Sequence, residues 1–251
     1  MSFNFIKIFI LILVIMSCTN GKTIEKNIGK QIEINELIED EPSIQSFLKP
    51  YKKLVKDSLS QVLCYSLKSY SKSEGKLNSA IGNMMADAIF EIASPIYKKT
   101  HDIDIDIVLL NYGGIRASLP KGNIKMENAY EIMPFENKVV VAKMKFEVVQ
   151  KMIKYLISEQ KAHPISGMEI GISKNGDLEK FKIQDQPPNP NRSYFIATSD
   201  YLFNGGDEMI FFKNSDSIYE VNYKVRDMLI DYFENIDSLK IKSDNRFIYY
   251  N

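Results

Sequence analysis

A mixed α/β fold, of the α/β (α+β) kind with helices layered on a mixed β-sheet, follows from three features of this 251-residue chain. Segments with apolar residues at helical spacing alternate with short β-branched runs. One pair of such runs closes on Asn175-Gly176, a strong two-residue hairpin signal. The two stretches with adjacent glycines, Gly113-Gly114 and Gly205-Gly206, each follow a strand-like segment.

The elements are read in order from the N-terminus. Lys7 precedes an apolar run from Ile8 to Met16, which ends at Ser17-Cys18. The run falls short of the roughly 20 apolar residues that a spanning helix needs, and it has the shape of a secretory h-region. The sequence I-M-S-C resembles a bacterial lipobox, which makes Cys18 the expected lipidation site and residues 1–18 a signal peptide. An ordinary signal peptide or an anchor helix is the other reading. Residues 19–42 are polar and rich in Lys, Glu and Asn, as a tether would be, and the folded domain is expected over 43–251. Cys64 is then the one cysteine of the folded part, set among apolar residues as a buried thiol and without a disulfide framework.

"SIQSFLKPYKKLVKDSLSQVL" keeps helical spacing, with Pro50 as a point of kinking. "CYSLKSY" alternates as a strand, "SKSEG" is a turn, and "NSAIGNMMADAIFEIASPIYKKT" is a second helix. "HDIDIDIVLLN" reads as a strand running into the core, its aspartates on a solvated face. The aspartate spacing matches the start of a calcium loop, but neither the glycine nor the closing glutamate follows. "SLPKGNI" reads as a turn, "KMENAYEIMPF" as a short helix, "KVVVAKMKF" as a strand and "EVVQKMIKYLISEQKA" as an amphipathic helix. "GMEIGISKNGDLEKFKI" is the hairpin, "QDQPPNPNRS" a loop and "YFIATSDYL" a strand. "YEVNYKVRDMLIDYFENI" reads as the last helix and "NRFIYY" as a final strand.

The 32 basic and 32 acidic residues cancel, so no overall charge recruits a nucleic-acid polymer, and any anion site must be local. Asn111 to Arg116, N-Y-G-G-I-R, has the parts of one. Glycines let backbone amides approach a ligand, and Arg116 offers a planar fork that fits phosphate or carboxylate. A tight turn with Arg116 in a surface ion pair is the competing reading. In "MPFEN" a proline restrains the backbone before Phe135, which suits either a rigid face for a planar ligand or a core anchor. "DYLFNGGDEM" supplies Tyr201 and, just after its glycines, Asp207, whose carboxylate suits a sugar's vicinal hydroxyls or a turn's backbone amides. The chain's two histidines, His101 and His163, stand in no ligand cluster, and His163 before proline reads as a loop residue.

In order, "NSAIGNMMADAI", "DIVLLNYGGIRASLPKGNIKMENAYEIMPFENKVVVAKM" and "YFIATSDYLFNGGDEMIFF" resemble the C-terminal domain of bacterial and animal 5′-nucleotidases and UDP-sugar hydrolases. The resemblance runs from about residue 60 to the C-terminus. It implies a nucleotide or nucleoside ligand, with Asn111, Gly113, Gly114 and Arg116 contacting base and phosphate. Phe135 and Tyr201 would stack on either side of the base, Asp207 would hold the ribose hydroxyls, and Asn137, Gly205 and Gly206 would belong to the same binding site. Relatives often carry a phosphate-binding arginine just before the first of these helices, where this chain has Lys76.

The same resemblance implies that hydrolysis belongs to a metallophosphoesterase domain with two metal ions. The expectation is therefore no catalytic residue and no metal or other cofactor in this chain. Divalent metals would come only with a separate metallophosphoesterase subunit. Two functions follow: the nucleotide-binding half of a split phosphohydrolase in nucleotide catabolism, or a non-catalytic nucleotide-binding lipoprotein. Either would be lipid-anchored at the bacterial cell envelope, periplasmic or surface-facing.

Overall fold

The structure, a computed structural model, describes residues 29–250 apart from residue 36. The expected signal peptide and Cys18 lie outside the described residues. The chain divides into two units, Met1–Lys49 and Pro50–Asn251. In the first, the described residues up to Glu41 form local turns, as where Leu37 N–H donates to Asn35 Oδ1 at 3.0 Å. Helix α1, Pro42–Leu59, begins there and runs through Pro50 without a break. No described helix is long and apolar enough to cross a membrane.

The second unit is a mixed α/β structure with three sheets. The largest has the order β5-β2-β8-β4-β9, from Ile165–Ser166, Ile107–Leu109, Ser193–Ser199, Lys138–Lys145 and Ser217–Lys224. β2 and β8 are parallel, and the other pairs are antiparallel. Helix α2, Ala80–His101, covers one face with Val108, Val139 and Val141 beneath it. Helix α4, Phe146–Glu159, covers the other face with Ile107, Leu109, Ala142 and Met144. Burial on both faces explains why "IVLL" is continuously apolar rather than alternating. Ser79 starts α2 by accepting a hydrogen bond from Gly82 N–H at 3.2 Å, and Asp102 ends it in the left-handed region.

The two smaller sheets flank this body. In one, β1 (Val62–Ser66) pairs parallel with β10 (Ser238–Leu239) and antiparallel with β3 (Gly122–Lys125). In the other, the hairpin of β6 (Met168–Ile172) and β7 (Leu178–Ile183) turns at Asn175-Gly176, and β11 (Phe247–Tyr249) lies parallel to β6. Short helix α3 spans Met126–Ile132 and α6 spans Val225–Glu234. Cys64 is buried, and burial pushes its thiol up to about 11.

The structure departs from the sequence expectation in several places: Val62 and Leu63 belong to β1 rather than to the first helix, and the strand expected from His101 begins only at Ile107. Tyr219 to Lys224 belong to β9, not to the last helix. Ile218, Glu220 and Asn222 alternate outward, and pairing with β4 overrides helical continuity. "SLPKGNI" ends in strand β3 rather than being all turn. Asp200–Phe203 form a one-turn helix, α5, after β8, so Tyr201 is helical rather than extended. Asp106 is buried instead of lying on a solvated face, accepting Phe195 N–H at 2.9 Å and Arg192 Nη2–H at 2.6 Å.

Candidate functional site

Three loops leave one edge of the five-stranded sheet together. Parallel neighbours β2 and β8 end there, leading into Asn111 and into α5. Because β4 runs antiparallel to β8, with Val139 opposite Ser199, its N-terminal end and the preceding Phe135–Asn137 segment lie at the same edge. The crevice outside the carboxyl ends of parallel strands is where open α/β sheets hold ligands.

A cavity of about 240 Å³ opens between these loops. Asn111, Gly113, Gly114, Arg116, Phe135, Asn137, Tyr201 and Asp207 line it together with Met133. Eight of the ten binding residues expected from the sequence thus meet around one space, although up to 96 positions separate them, as between Asn111 and Asp207. Gly205 and Gly206 stand outside the lining and shape the turn behind it.

Each loop has its own local cause. After β2 the chain makes a single 3₁₀ turn over Tyr112–Gly114, closed by Gly114 N–H donating to Asn111 O at 3.1 Å. A Cβ on Gly114 would sit 2.7 Å from Asn111 Oδ1, so only glycine lets the asparagine side chain fold over the turn. Arg116 N–H donates to Ile132 O at 2.9 Å and ties this loop to the end of α3. Beyond α3, Pro134 leads to Phe135, which is 39% exposed and 5.8 Å from the Arg116 guanidinium. In the third loop Ser199 caps α5 by accepting from Leu202 N–H at 3.3 Å, which sets Tyr201 in its first turn. The Tyr201 ring lies on Gly206, where a Cβ would approach its carbons to 2.4 Å.

Asp207 is the meeting point. Its Oδ1 accepts Tyr201 O–H at 2.9 Å, its Oδ2 accepts Asn111 Nδ2–H at 2.7 Å, and its carbonyl accepts Tyr155 O–H at 2.7 Å. Asp207 and Glu208 hold left-handed backbone, φ 49° and 59°, a strain that surrounding contacts must maintain. The hydrogen bond to Asp207 raises the Tyr201 phenol above its ordinary value.

Lys72 rather than Lys76 stands within reach of the Arg116 charge, although neither lysine lines the cavity. Lys76 Nζ lies over the Tyr249 ring at 5.0 Å and does not line the cavity. Lys72 Nζ donates to Ile115 O at 2.7 Å and lies 4.5 Å over the Tyr112 ring. Burial and then the Arg116 charge lower its pKa, so the two cations feel each other. Among the described residues neither pairs with a carboxylate. Lys72 and Arg116 thus put two cations without a carboxylate partner near the Gly-Gly turn in a chain of zero net charge.

Two supporting residues carried no sequence signal. His163 is buried, and its Nδ1 accepts Tyr112 N–H at 3.2 Å, bracing the Gly-Gly turn from beneath. Burial drives its pKa from 6.5 down to about 4, which keeps the ring neutral and Nδ1 an acceptor. Arg226, on α6, is buried with its guanidinium 4.2 Å over the Tyr130 ring. Its Nη1–H donates to Phe135 O at 3.3 Å and its Nη2–H to Glu136 Oε1. Hydrogen bonds from Lys224 and Arg226 pull the Glu136 carboxyl down to about 2.

Among the described residues no three His, Cys, Asp or Glu stand together where they could hold a metal ion. His101 packs against Tyr97 and Tyr219, and Asp104 pairs with Lys98.

Known proteins share this architecture. The chain is 22% identical over 239 residues to an apyrase of Tabanus yao, an alignment covering 87% of this chain and 43% of the relative. It is 32% identical over 108 residues to Protein UshA of Escherichia coli (strain K12), covering 41% of this chain and 19% of that protein. A cell wall protein, Lmo0130 of Listeria monocytogenes serovar 1/2a, is 25% identical over 159 residues, covering 57% of this chain and 20% of the relative. Among solved structures, the 5′-nucleotidase precursor of Thermus thermophilus superposes with a TM-score of 0.69 at 19% identity. That match covers 82% of this chain and 43% of the other and shows a common fold. The chain thus spans less than half the length of the relatives it matches. The family model described as 5′-nucleotidase, C-terminal domain, matches residues 60–214, which hold every loop of the cavity, and the chain belongs to that family.

Proposed function

We propose that this chain is the nucleoside-gripping half of a 5′-nucleotidase-type phosphohydrolase, acting in nucleotide catabolism with a metallophosphoesterase on a separate chain. The observation that carries the reading is the convergence of two exposed aromatics, a carboxylate and the Arg116 guanidinium around one cavity of about 240 Å³, with Lys72 close behind Arg116. A base between Phe135 and Tyr201 would gain stacking on both faces. Asp207 would accept from sugar hydroxyls, and Arg116 with Lys72 would meet the phosphate. The divalent metals that activate water in this class of reaction would belong to the partner. This chain's own work is to bind and orient. The lipobox-like Cys18 supports a lipid-anchored place at the bacterial cell envelope, and the similarity to a cell wall protein agrees with an envelope setting.

The test is calorimetric titration of AMP, adenosine and UDP-glucose into the full chain, with Phe135→Ala and Asp207→Ala as controls. Saturable binding weakened by both substitutions is expected. No binding, or binding indifferent to both, would sink the assignment. Phosphatase activity should then appear on mixing with the metallophosphoesterase partner and on neither chain alone. Binding without activity in any such mixture would make the protein a non-catalytic nucleotide-binding lipoprotein.

A further inference from the structure

Asp207 is already occupied within its own chain. Oδ2 accepts from Asn111 Nδ2 at 2.7 Å and lies 3.2 Å from where a Gly113 Cβ would stand, so that side of the carboxylate is closed in. Oδ1 is held by the Tyr201 hydroxyl at 2.9 Å. The tyrosine is 46% exposed, and its ring is seated on Gly206 with the hydroxyl directed at the carboxylate. An ionised carboxylate receives two vicinal sugar hydroxyls best when both oxygens are free to face them. Here Oδ2 is taken by Asn111, and one of the two acceptor positions of Oδ1 is filled by a phenol.

We propose that the Tyr201 hydroxyl is a built-in substitute for a sugar hydroxyl, so that this clamp takes 2′-deoxynucleosides and 2′-deoxynucleotides about as readily as the ribose forms. The inference rests on the nucleoside-clamp reading above. With Oδ2 closed in and one of the two acceptor positions of Oδ1 engaged by Tyr201, a sugar gains one hydrogen bond to Asp207 whether it carries one hydroxyl or two. A ribose that claims both positions of Oδ1 must first displace the phenol, and the bond gained offsets the bond lost. A phenylalanine at this position would keep the stacking face and release Oδ1. Tyr201 is thus a specificity-determining residue for the sugar, separate from its part in stacking.

The experiment is titration of AMP and 2′-deoxy-AMP into the full chain, Tyr201→Phe, and Tyr201→Phe combined with Asp207→Asn, with circular dichroism as a folding check. The unaltered chain should bind the two nucleotides within about threefold of each other, and Tyr201→Phe should strengthen AMP about five- to tenfold while moving 2′-deoxy-AMP less than about twofold. That gain should vanish in the Asp207→Asn background, where the carboxylate is gone. Three results overturn the proposal: a preference of tenfold or more for AMP before any substitution, an AMP-to-deoxy ratio unchanged by Tyr201→Phe, or equal weakening of both ligands, which would make the hydroxyl a mere prop for the ring. If neither nucleotide binds the unaltered chain, the clamp reading itself fails and takes this inference with it.

Discussion

The two aromatic walls of the cavity are held in opposite ways. Phe135 is fixed from outside the site: its carbonyl hangs on Arg226, and Glu136 beside it is gripped by Arg226 and Lys224, some 90 positions along the chain. Tyr201 is fixed from inside: its hydroxyl rests on Asp207, the group a sugar would need, across a turn with left-handed backbone at Asp207 and Glu208. The residues that hold the first wall, Arg226, Lys224 and Glu136, do not line the cavity. The second has contacts that a ligand can compete for. In the clamp proposed above, the difference would pair a fixed jaw with an adjustable one, and the adjustable jaw is where specificity would be tuned.

Acid should separate the two jaws with the largest effect. His163 braces the Gly-Gly turn on the adjustable side only while neutral. Its pKa is lowered in the fold, so its stabilisation is complete above about 6.5 and is lost as the pH falls toward about 4, on the order of 3 kcal/mol in all. The Glu136 carboxyl is held down at about 2, so the Phe135 side keeps its ion pairs through that window; their stabilisation starts to decline below about 4.5 and is lost only as the pH falls toward about 2. Denaturant titrations at pH 7 and pH 4.5 should show the chain losing stability and His163→Gln, which cannot protonate, losing much less. Equal losses in both would break this part of the comparison.

Next in size is the stacking itself. Phe135→Ala should weaken AMP by about 30-fold, from roughly 2 kcal/mol of base stacking, with the melting temperature little changed because the ring is partly exposed. Arg226→Ala should reach the same wall indirectly. About tenfold weaker AMP binding is expected as the Phe135 loop loosens, with about 2 kcal/mol of stability lost from the buried side chain. Arg226→Lys should restore part of both. Full affinity in Arg226→Ala would mean that the fixed jaw needs no strut. The smallest effect belongs to Lys72→Ala, which should weaken AMP about threefold at low salt and leave adenosine unchanged, since only the nucleotide offers a phosphate.

Much of this site could be read before any coordinates, and particular residues show why the rest could not. N-Y-G-G-I-R, M-P-F-E-N and Y-L-F-N-G-G-D are local strings whose chemistry survives in one dimension, and their loops do share a cavity. The hairpin at Asn175-Gly176 is equally local. Lys72 and Lys76 are four residues apart, and only the folding of their segment against the Tyr112 turn shows which one meets Arg116. His163 acts through one backbone N–H 51 positions away, and Arg226 through a carbonyl and a carboxylate 91 and 90 positions away. None of these contacts leaves a pattern in the sequence. Tyr219 to Lys224 look continuous with the helix after them, and it is the partner strand β4 that makes them a strand.

The central claim is that a base sits between Phe135 and Tyr201. Proton NMR of AMP titrated with the full chain tests it most directly, because the two adenine ring protons lie in the ring currents of whatever stacks on them. The account predicts that both signals move upfield on binding and that Phe135→Ala and Tyr201→Ala each remove part of the shift. Binding that leaves both protons unmoved, or shifts them equally in both variants and the unaltered chain, would contradict it.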